Sequence, residues 1–173
     1  ISKQSWSNGK VGTWGPSALG RIQYMTAKEQ HPSHICAMPI VAAPQYNYLE
    51  YFPGGVYRTE YVEQLDALGY GLSTFLLGNT HYNFAWDFVE KSNLYPEKVK
   101  IPILMAGGWF DHNTEVMFDF FDTLVKSSGT AVRDQHKFLM GPWAHGSVGR
   151  TNVGALEFPG AAGAPDSFAR LFF

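Results

Sequence analysis

Residues Ile101-Pro102-Ile103-Leu104-Met105-Ala106 form an unbroken apolar run. A strand with one face in water alternates apolar and polar side chains, so a run without alternation needs cover on both faces. That is the pattern of a strand inside a parallel sheet flanked by helices, and it places the chain in the α/β class. The run delivers Gly107-Gly108-Trp109-Phe110-Asp111, and a shorter one, Lys137-Phe138-Leu139-Met140, delivers Gly141-Pro142-Trp143-Ala144-His145. Parallel strands end at a common edge, where open α/β sheets bind their ligands. Asp111 and His145 are therefore expected on one edge, each just past a strand end.

A third segment has the same construction. Lys10-Val11-Gly12-Thr13-Trp14-Gly15-Pro16-Ser17-Ala18-Leu19-Gly20 reads as a short strand, a glycine-flanked serine and the start of a helix. A serine hydroxyl is a poor nucleophile at neutral pH and must be held clear of its backbone, beside a base and near donors for a developing oxyanion. A sharp strand-to-helix turn meets all three needs, with the Ala18 N–H at the helix start as an oxyanion donor. The strict Gly-x-Ser-x-Gly spacing is not met, because Leu19 stands where the second glycine belongs and Gly20 comes one later. The competing reading is a turn with Ser17 as a helix N-cap. Asp111 could likewise be a helix-start carboxylate before Asn113-Thr114, and His145 a loop imidazole bonded to backbone. The order Ser17, Asp111, His145, each after its own strand, is the chain order of the α/β-hydrolase triad and favours the catalytic reading.

Four motifs carry a family resemblance: Trp6-Ser7-Asn8-Gly9-Lys10-Val11-Gly12, Phe52-Pro53-Gly54-Gly55, Gly107-Gly108-Trp109-Phe110-Asp111 and Gly141-Pro142-Trp143-Ala144-His145. Together they resemble the CocE/NonD hydrolases, which include the X-Pro dipeptidyl-peptidases of family S15, cocaine esterase, glutaryl acylases and α-amino acid ester hydrolases. The stretch Phe158-Pro159, followed by Asp166-Ser167-Phe168-Ala169-Arg170-Leu171-Phe172-Phe173, resembles the approach to that family's C-terminal jelly-roll domain. The resemblance implies an α/β-hydrolase fold with Ser17 as nucleophile, Asp111 as orienting acid and His145 as base. Ala18 departs from it, since the family usually has tyrosine there. Asn113 and Thr114 depart from the acidic pair that holds the substrate ammonium in α-amino acid ester hydrolases. Asn113 resembles the X-Pro dipeptidyl-peptidases instead and is a candidate substrate contact, whereas Gly-Trp-Phe-Asp looks more like the esterase branch. Trp109 and Trp143, beside the two loops, are candidate pocket walls, with packing on the sheet rim as the alternative.

Four strands are legible, at about residues 9 to 14, 35 to 42, 101 to 106 and 136 to 140. Such a sheet normally has more. The expectation is a partial α/β-hydrolase core, 1–56 and 94–173, from inside a longer chain, with a second oxyanion donor, commonly a tyrosine hydroxyl in the family, outside it. Residues 57–93 are expected as a short helical cap insertion, with Leu65 and Leu68 on one helix face and Phe84 and Phe88 on another. Of its aromatics Tyr57, Phe75, Tyr82, Phe84 and Trp86, most are expected to pack rather than to line an acyl pocket. A helix over Ala18–Gln30 should follow the elbow and stop before Pro32. Another, capped by Asn113 or Thr114 and running to about Lys126, should bury Met117, Phe121 and Leu124.

Other chemistries find little support. Charged residues are 16% of the chain, against about 25% in ordinary domains, as suits a piece with much surface to cover. A net charge of −2 without a basic cluster gives nothing to neutralise phosphates, so nucleic acid is not an expected partner. No run of about 18 apolar residues exists, so no membrane span is expected. Cys36 sits in an apolar run as a buried small hydrophobe. His31 and His34, split by Pro32, read as a solvated loop rather than metal ligands. His112 reads as a pocket-wall or capping residue. Gly9, Gly12 and Gly15 match neither dinucleotide nor phosphate-loop spacing, and no cofactor is expected. The expected function is a serine hydrolase acting on a small ester, amide or short peptide, able to pair with a second copy of itself. The alternative is a non-catalytic domain with an incomplete oxyanion hole.

Overall fold

The computed structural model describes residues 1–93, 95–163, 167 and 170. It divides into two compact units, Ile1–Pro44 with Tyr95–Phe173, and Gln45–Leu94. The first holds a sheet of β1 (Val11–Pro16), β2 (His34–Ile40), β3 (Leu104–Gly108) and β4 (Lys137–Gly141), in that spatial order and parallel throughout. Trp14 pairs with Met38, Ile40 with Ala106, and Gly108 with Gly141, so the three strand ends that precede Ser17, Asp111 and His145 lie along one edge.

Every residue of β3 is buried. Met105 joins a cluster with Tyr24, Ala27, Ala37, Met117, Phe120 and Leu124, while Leu104 and Ala106 join another with Met38 and Ile40. The two clusters cover opposite faces, which is why the sequence here lacks alternation. The strand begins at Leu104 rather than at residue 101, because Pro102 has no N–H to give a ladder; Ile103 makes an isolated bridge to Ala37.

Helix α1 (Ser17–Ala27) buries Gly20, Gln23, Tyr24 and Ala27 against the sheet. It ends earlier than Gln30, which takes a left-handed φ of 54° and cannot continue it. His34 is a correction: it opens β2 opposite Val11, buried, with its Nε2 3.0 Å from Thr13 Oγ1, rather than lying in a solvated loop. Cys36 is buried, and burial pushes its thiol pKa up, as suits a structural thiol.

In the second unit the four-residue α2 (Tyr48–Tyr51) is followed by α3 (Thr59–Ala67), α4 (Ser73–Gly78) and α5 (Phe84–Asn93). Its core is Tyr51, Phe52, Val62, Leu76 and Trp86. This compact unit reaches back to Gln45, and Tyr51 and Phe52 belong to its core. Leu68 lies past the end of α3 and is exposed; Phe84 and Phe88 are exposed, while Trp86 between them is buried with its Nε1–H donated to Asn79 O at 2.7 Å. Phe75 meets the Trp86 ring, Tyr57 meets Phe52 and Tyr82 meets Tyr48, so these three aromatics pack.

Back in the first unit, α6 (Thr114–Ser127) buries Val116, Met117, Phe120 and Leu124. Phe120 takes the place expected of Phe121, meeting the Tyr24 ring edge-on at 5.2 Å, while Phe121 packs against Phe138. A short α7 (Thr130–Arg133) leads to β4. Beyond β4, a hairpin of β5 (Asn152–Val153) and β6 (Leu156–Glu157) turns at Gly154, φ 57°. Two-residue strands leave no period to read in a sequence. Most of the 166–173 motif lies outside the described residues. Among the described residues no helix is long and apolar enough to cross a membrane.

Candidate active site

Ser17 follows β1 directly and takes φ 54°, a conformation an L-residue holds only when its surroundings enforce it, at about 1–3 kcal/mol. The kink turns the chain from strand to helix in one residue and leaves the hydroxyl exposed at the sheet edge. Its Oγ lies 3.0 Å from His145 Nε2. The N-cap of α1 is Pro16, so Ser17 is no capping serine. Gly20 explains the irregular spacing. A Cβ there would lie 2.5 Å from Ala42 Cβ and 2.9 Å from Gly15 O, so the glycine belongs where α1 crosses the end of β2, one residue later than the usual pattern. The Ala18 N–H lies in the first turn of α1, where no intrahelical acceptor exists.

Asp111 is reached from β3 through Gly107 and Gly108. Its side chain is fully buried; Oδ2 lies 2.6 Å from His145 Nδ1, and Oδ1 accepts the Asn113 N–H at 2.6 Å. With Nδ1–H donated to the carboxylate, Nε2 keeps a lone pair toward Ser17. The acid and base loops are also tied through their backbones: Trp109 N–H donates to Gly141 O at 2.9 Å and Phe110 N–H to Trp143 O at 3.0 Å. A Cβ on Gly108 would collide with that same Trp143 carbonyl. Gly108, directly before Trp109, is thus the room the second loop needs. Ser147 closes the His145 loop, its Oγ accepting the Ala144 N–H at 2.9 Å.

The structure brings Ser17, Asp111 and His145 together and gives Trp109, Trp143 and Asn113 different surroundings. Trp109 is 60% exposed, one face against Phe118. Trp143 is buried, its Nε1–H donated to Arg150 O, and so takes the packing alternative. Asn113 is also buried, and its Nδ2 donates to Val41 O at 3.0 Å. That side chain ties the acid loop to the chain just past β2 instead of lining an open surface, because the turn at Asp111 folds it inward. His112 stacks obliquely on His145, ring centroids 4.5 Å apart. Asp111, His112 and His145 each offer a ligand atom within 4.8 Å of the others, but the atoms Asp111 and His145 would lend a metal are already bonded to each other and to Ser17.

Sequence reasoning missed Gln23 and Ser147. Gln23 left a signal, a polar residue in the otherwise apolar stripe of α1; Ser147 left none, since its partner is a backbone group set by the loop's shape.

A parallel sheet with a left-handed serine after one strand, and an aspartate and a histidine bonded to each other after two later ones, defines an α/β-hydrolase core. The X-Pro dipeptidyl-peptidase (S15 family) model matches residues 1–76 and 72–147, and the chain belongs to that family. Solved structures share the fold. An aminopeptidase from the marine sediment archaeon Thaumarchaeota archaeon is 18% identical with a TM-score of 0.54, covering 95% of this chain and 33% of that one. An α-amino acid ester hydrolase is 17% identical with a TM-score of 0.54, covering 96% and 33%. A CocE/NonD family hydrolase from Staphylococcus aureus is 20% identical with a TM-score of 0.56, covering 81% and 26%. The chain thus spans a third or less of the length of these structures. No curated protein sequence matches it.

Proposed function

We propose that the chain carries the catalytic centre of a serine hydrolase that cleaves a small ester or amide through an acyl-enzyme on Ser17. What supports this reading is one observation: the unbroken relay from Ser17 Oγ to His145 Nε2 at 3.0 Å and from His145 Nδ1 to a buried Asp111 carboxylate at 2.6 Å. Ser17 Oγ attacks the acyl carbon as its proton passes to Nε2. Asp111 holds the imidazole in the right tautomer and stabilises the imidazolium. The oxyanion forms against the Ala18 N–H, with a second donor from elsewhere in the full protein. Nε2–H then protonates the leaving alcohol or amine. Water attacks the acyl-serine with its proton taken by Nε2, the acid leaves, and the proton returns to Ser17 Oγ.

The exposed indole of Trp109 is the proposed wall of the acyl site. The family assignment favours short peptides with proline in second place, and the Gly-Trp-Phe-Asp context favours simple esters. The test uses the full-length protein with a fluorophosphonate probe, followed by a panel of acyl esters against X-Pro anilides. Stoichiometric labelling of Ser17 and turnover of one series are expected. An unlabelled Ser17 in folded protein would overturn the reading and favour a non-catalytic domain.

A further inference from the structure

Gln23 is 4% exposed in the stripe of α1 that otherwise buries Gly20, Tyr24 and Ala27. A carboxamide left without partners there would cost about 1–3 kcal/mol, so its hydrogen bonds explain its presence. Its Nε2 lies 3.3 Å from Gly15 O and 3.3 Å from Leu19 O, and its Oε1 accepts the Met38 N–H at 3.0 Å. Gly15 is two residues before Ser17 and Leu19 two after it. One side chain therefore grips both arms of the strained turn and fastens them to β2.

β2 supplies neither nucleophile, acid nor base, yet both halves of the relay hang on it. Gln23 ties the elbow to Met38, and Asn113 ties the acid loop to Val41, the residue after the strand. A leucine at position 23 would fill the space but supply no direction. We propose that Gln23 is a positioning residue that sets where Ser17 Oγ stands relative to His145, with the β2 backbone as the common reference for nucleophile and acid. This rests on the serine-hydrolase reading above. A misplacement of about 1 Å in such a centre costs on the order of a hundredfold in rate, so a clamp acting on the turn itself should be visible in kcat.

The test compares full-length wild type with Gln23→Met, similar in length but without donor or acceptor, and Gln23→Glu. Three quantities are read: the rate constant for fluorophosphonate labelling of Ser17, kcat and KM on an ester substrate, and the unfolding temperature. For Gln23→Met, labelling rate and kcat should fall by about tenfold or more while KM stays within about twofold, at a temperature where the variant is folded. The Glu variant keeps the acceptor for Met38 but can donate to Gly15 O only when protonated. Its kcat relative to wild type should therefore rise as pH falls. Folded Gln23→Met with labelling and kcat within about twofold of wild type, whatever its unfolding temperature, would overturn the proposal. Should that variant not fold, a flat pH ratio for the Glu variant overturns it. An unlabelled wild type removes the hydrolase reading and this one with it.

Discussion

The two halves of the site are held by different means. Asp111 and His145 leave adjacent strands, their loops joined by backbone bonds from Trp109 to Gly141 and Phe110 to Trp143, above a strand buried at every residue. Ser17 leaves β1, which has a partner strand on one side only among the described residues, and it is followed by a helix whose Leu19 and Ile22 are 61% and 55% exposed. There the turn is fixed by a left-handed serine and a side-chain amide. Backbone bonds tolerate most side-chain changes, whereas a turn held by one amide does not. The Asp111–His145 half, tied also by the Asn113 amide to Val41 O, should therefore tolerate most single side-chain changes outside its glycines and its chemistry, whereas the Ser17 half should fail through single side chains.

The largest effects come from removing the chemistry itself. Ser17→Ala in the full-length protein should lower turnover by roughly 10⁴-fold or more with the unfolding transition intact, measured on whichever ester or anilide the panel identifies. More than a tenth of wild-type turnover would remove Ser17 from its role. Asp111→Asn should cost about 10⁴-fold by presenting the wrong imidazole tautomer. Its circular dichroism should stay native; collapse of the spectrum would instead make Asp111 a structural carboxylate, and the contrast between the halves would lose its basis.

Gly108→Ala attacks the acid–base half through its backbone. The obstacle is the Trp143 carbonyl, which cannot rotate away as a side-chain end could, so the cost should reach about 3 kcal/mol and the unfolding temperature should drop by several degrees. Turnover should fall as well, since the displaced carbonyl lies two residues before His145. Gly129→Ala is the matched control. A Cβ there meets nothing within 4 Å and its φ is −60°, so stability should be unchanged or slightly higher. Equal unfolding temperatures for the two variants would show that close loop approach is not what the glycine motif serves.

The same contrast governs what could be read in the sequence. The unbroken apolar run 101–106 announced a strand covered on both sides, and the Gly-Gly-Trp-Phe-Asp and Gly-Pro-Trp-Ala-His motifs announced the loops that carry Asp111 and His145 just past two strand ends. These features are local, so sequence carries them. Gln23, Asn113 and the start of the second unit at Gln45 depend on partners 15, 72 and some 35 residues away, as between Gln23 and Met38, Asn113 and Val41, and Tyr51 and Trp86. Periodicity names a buried face but not what a buried amide finds there, and the family resemblance that made Asn113 a candidate substrate contact carries no information about its bond to Val41. Phe84 and Phe88 illustrate the same limit: their spacing suits a helix face, but the face that packs is the one centred on Trp86.

The smallest expected effect probes a titratable clamp on the Asp111–His145 side. His136, 4% exposed just before β4, accepts the Ile103 N–H on Nδ1 at 3.2 Å and meets Ser128 Oγ with Nε2 at 2.9 Å, joining the entrances of β3 and β4 to the end of α6. Burial lowers its pKa from 6.5 to about 4, since the charged imidazolium would lose its hydration there. Between those values the unfolded chain binds the proton and the folded chain does not. The stability His136 contributes is therefore full above about pH 6.5 and lost progressively as pH falls toward 4, by on the order of 2 kcal/mol. His136→Gln can replace both hydrogen bonds without titrating. Urea unfolding of wild type and variant at pH 7 and pH 4.5 should show the variant losing less stability on acidification, while the two stay close at pH 7. Parallel losses would mean that His136 is no titrating clamp. The Asp111–His145 half would then be held by its backbone bonds and glycines together with the uncharged side chains of Asn113 and Ser147, and acidification would not separate the two halves of the site.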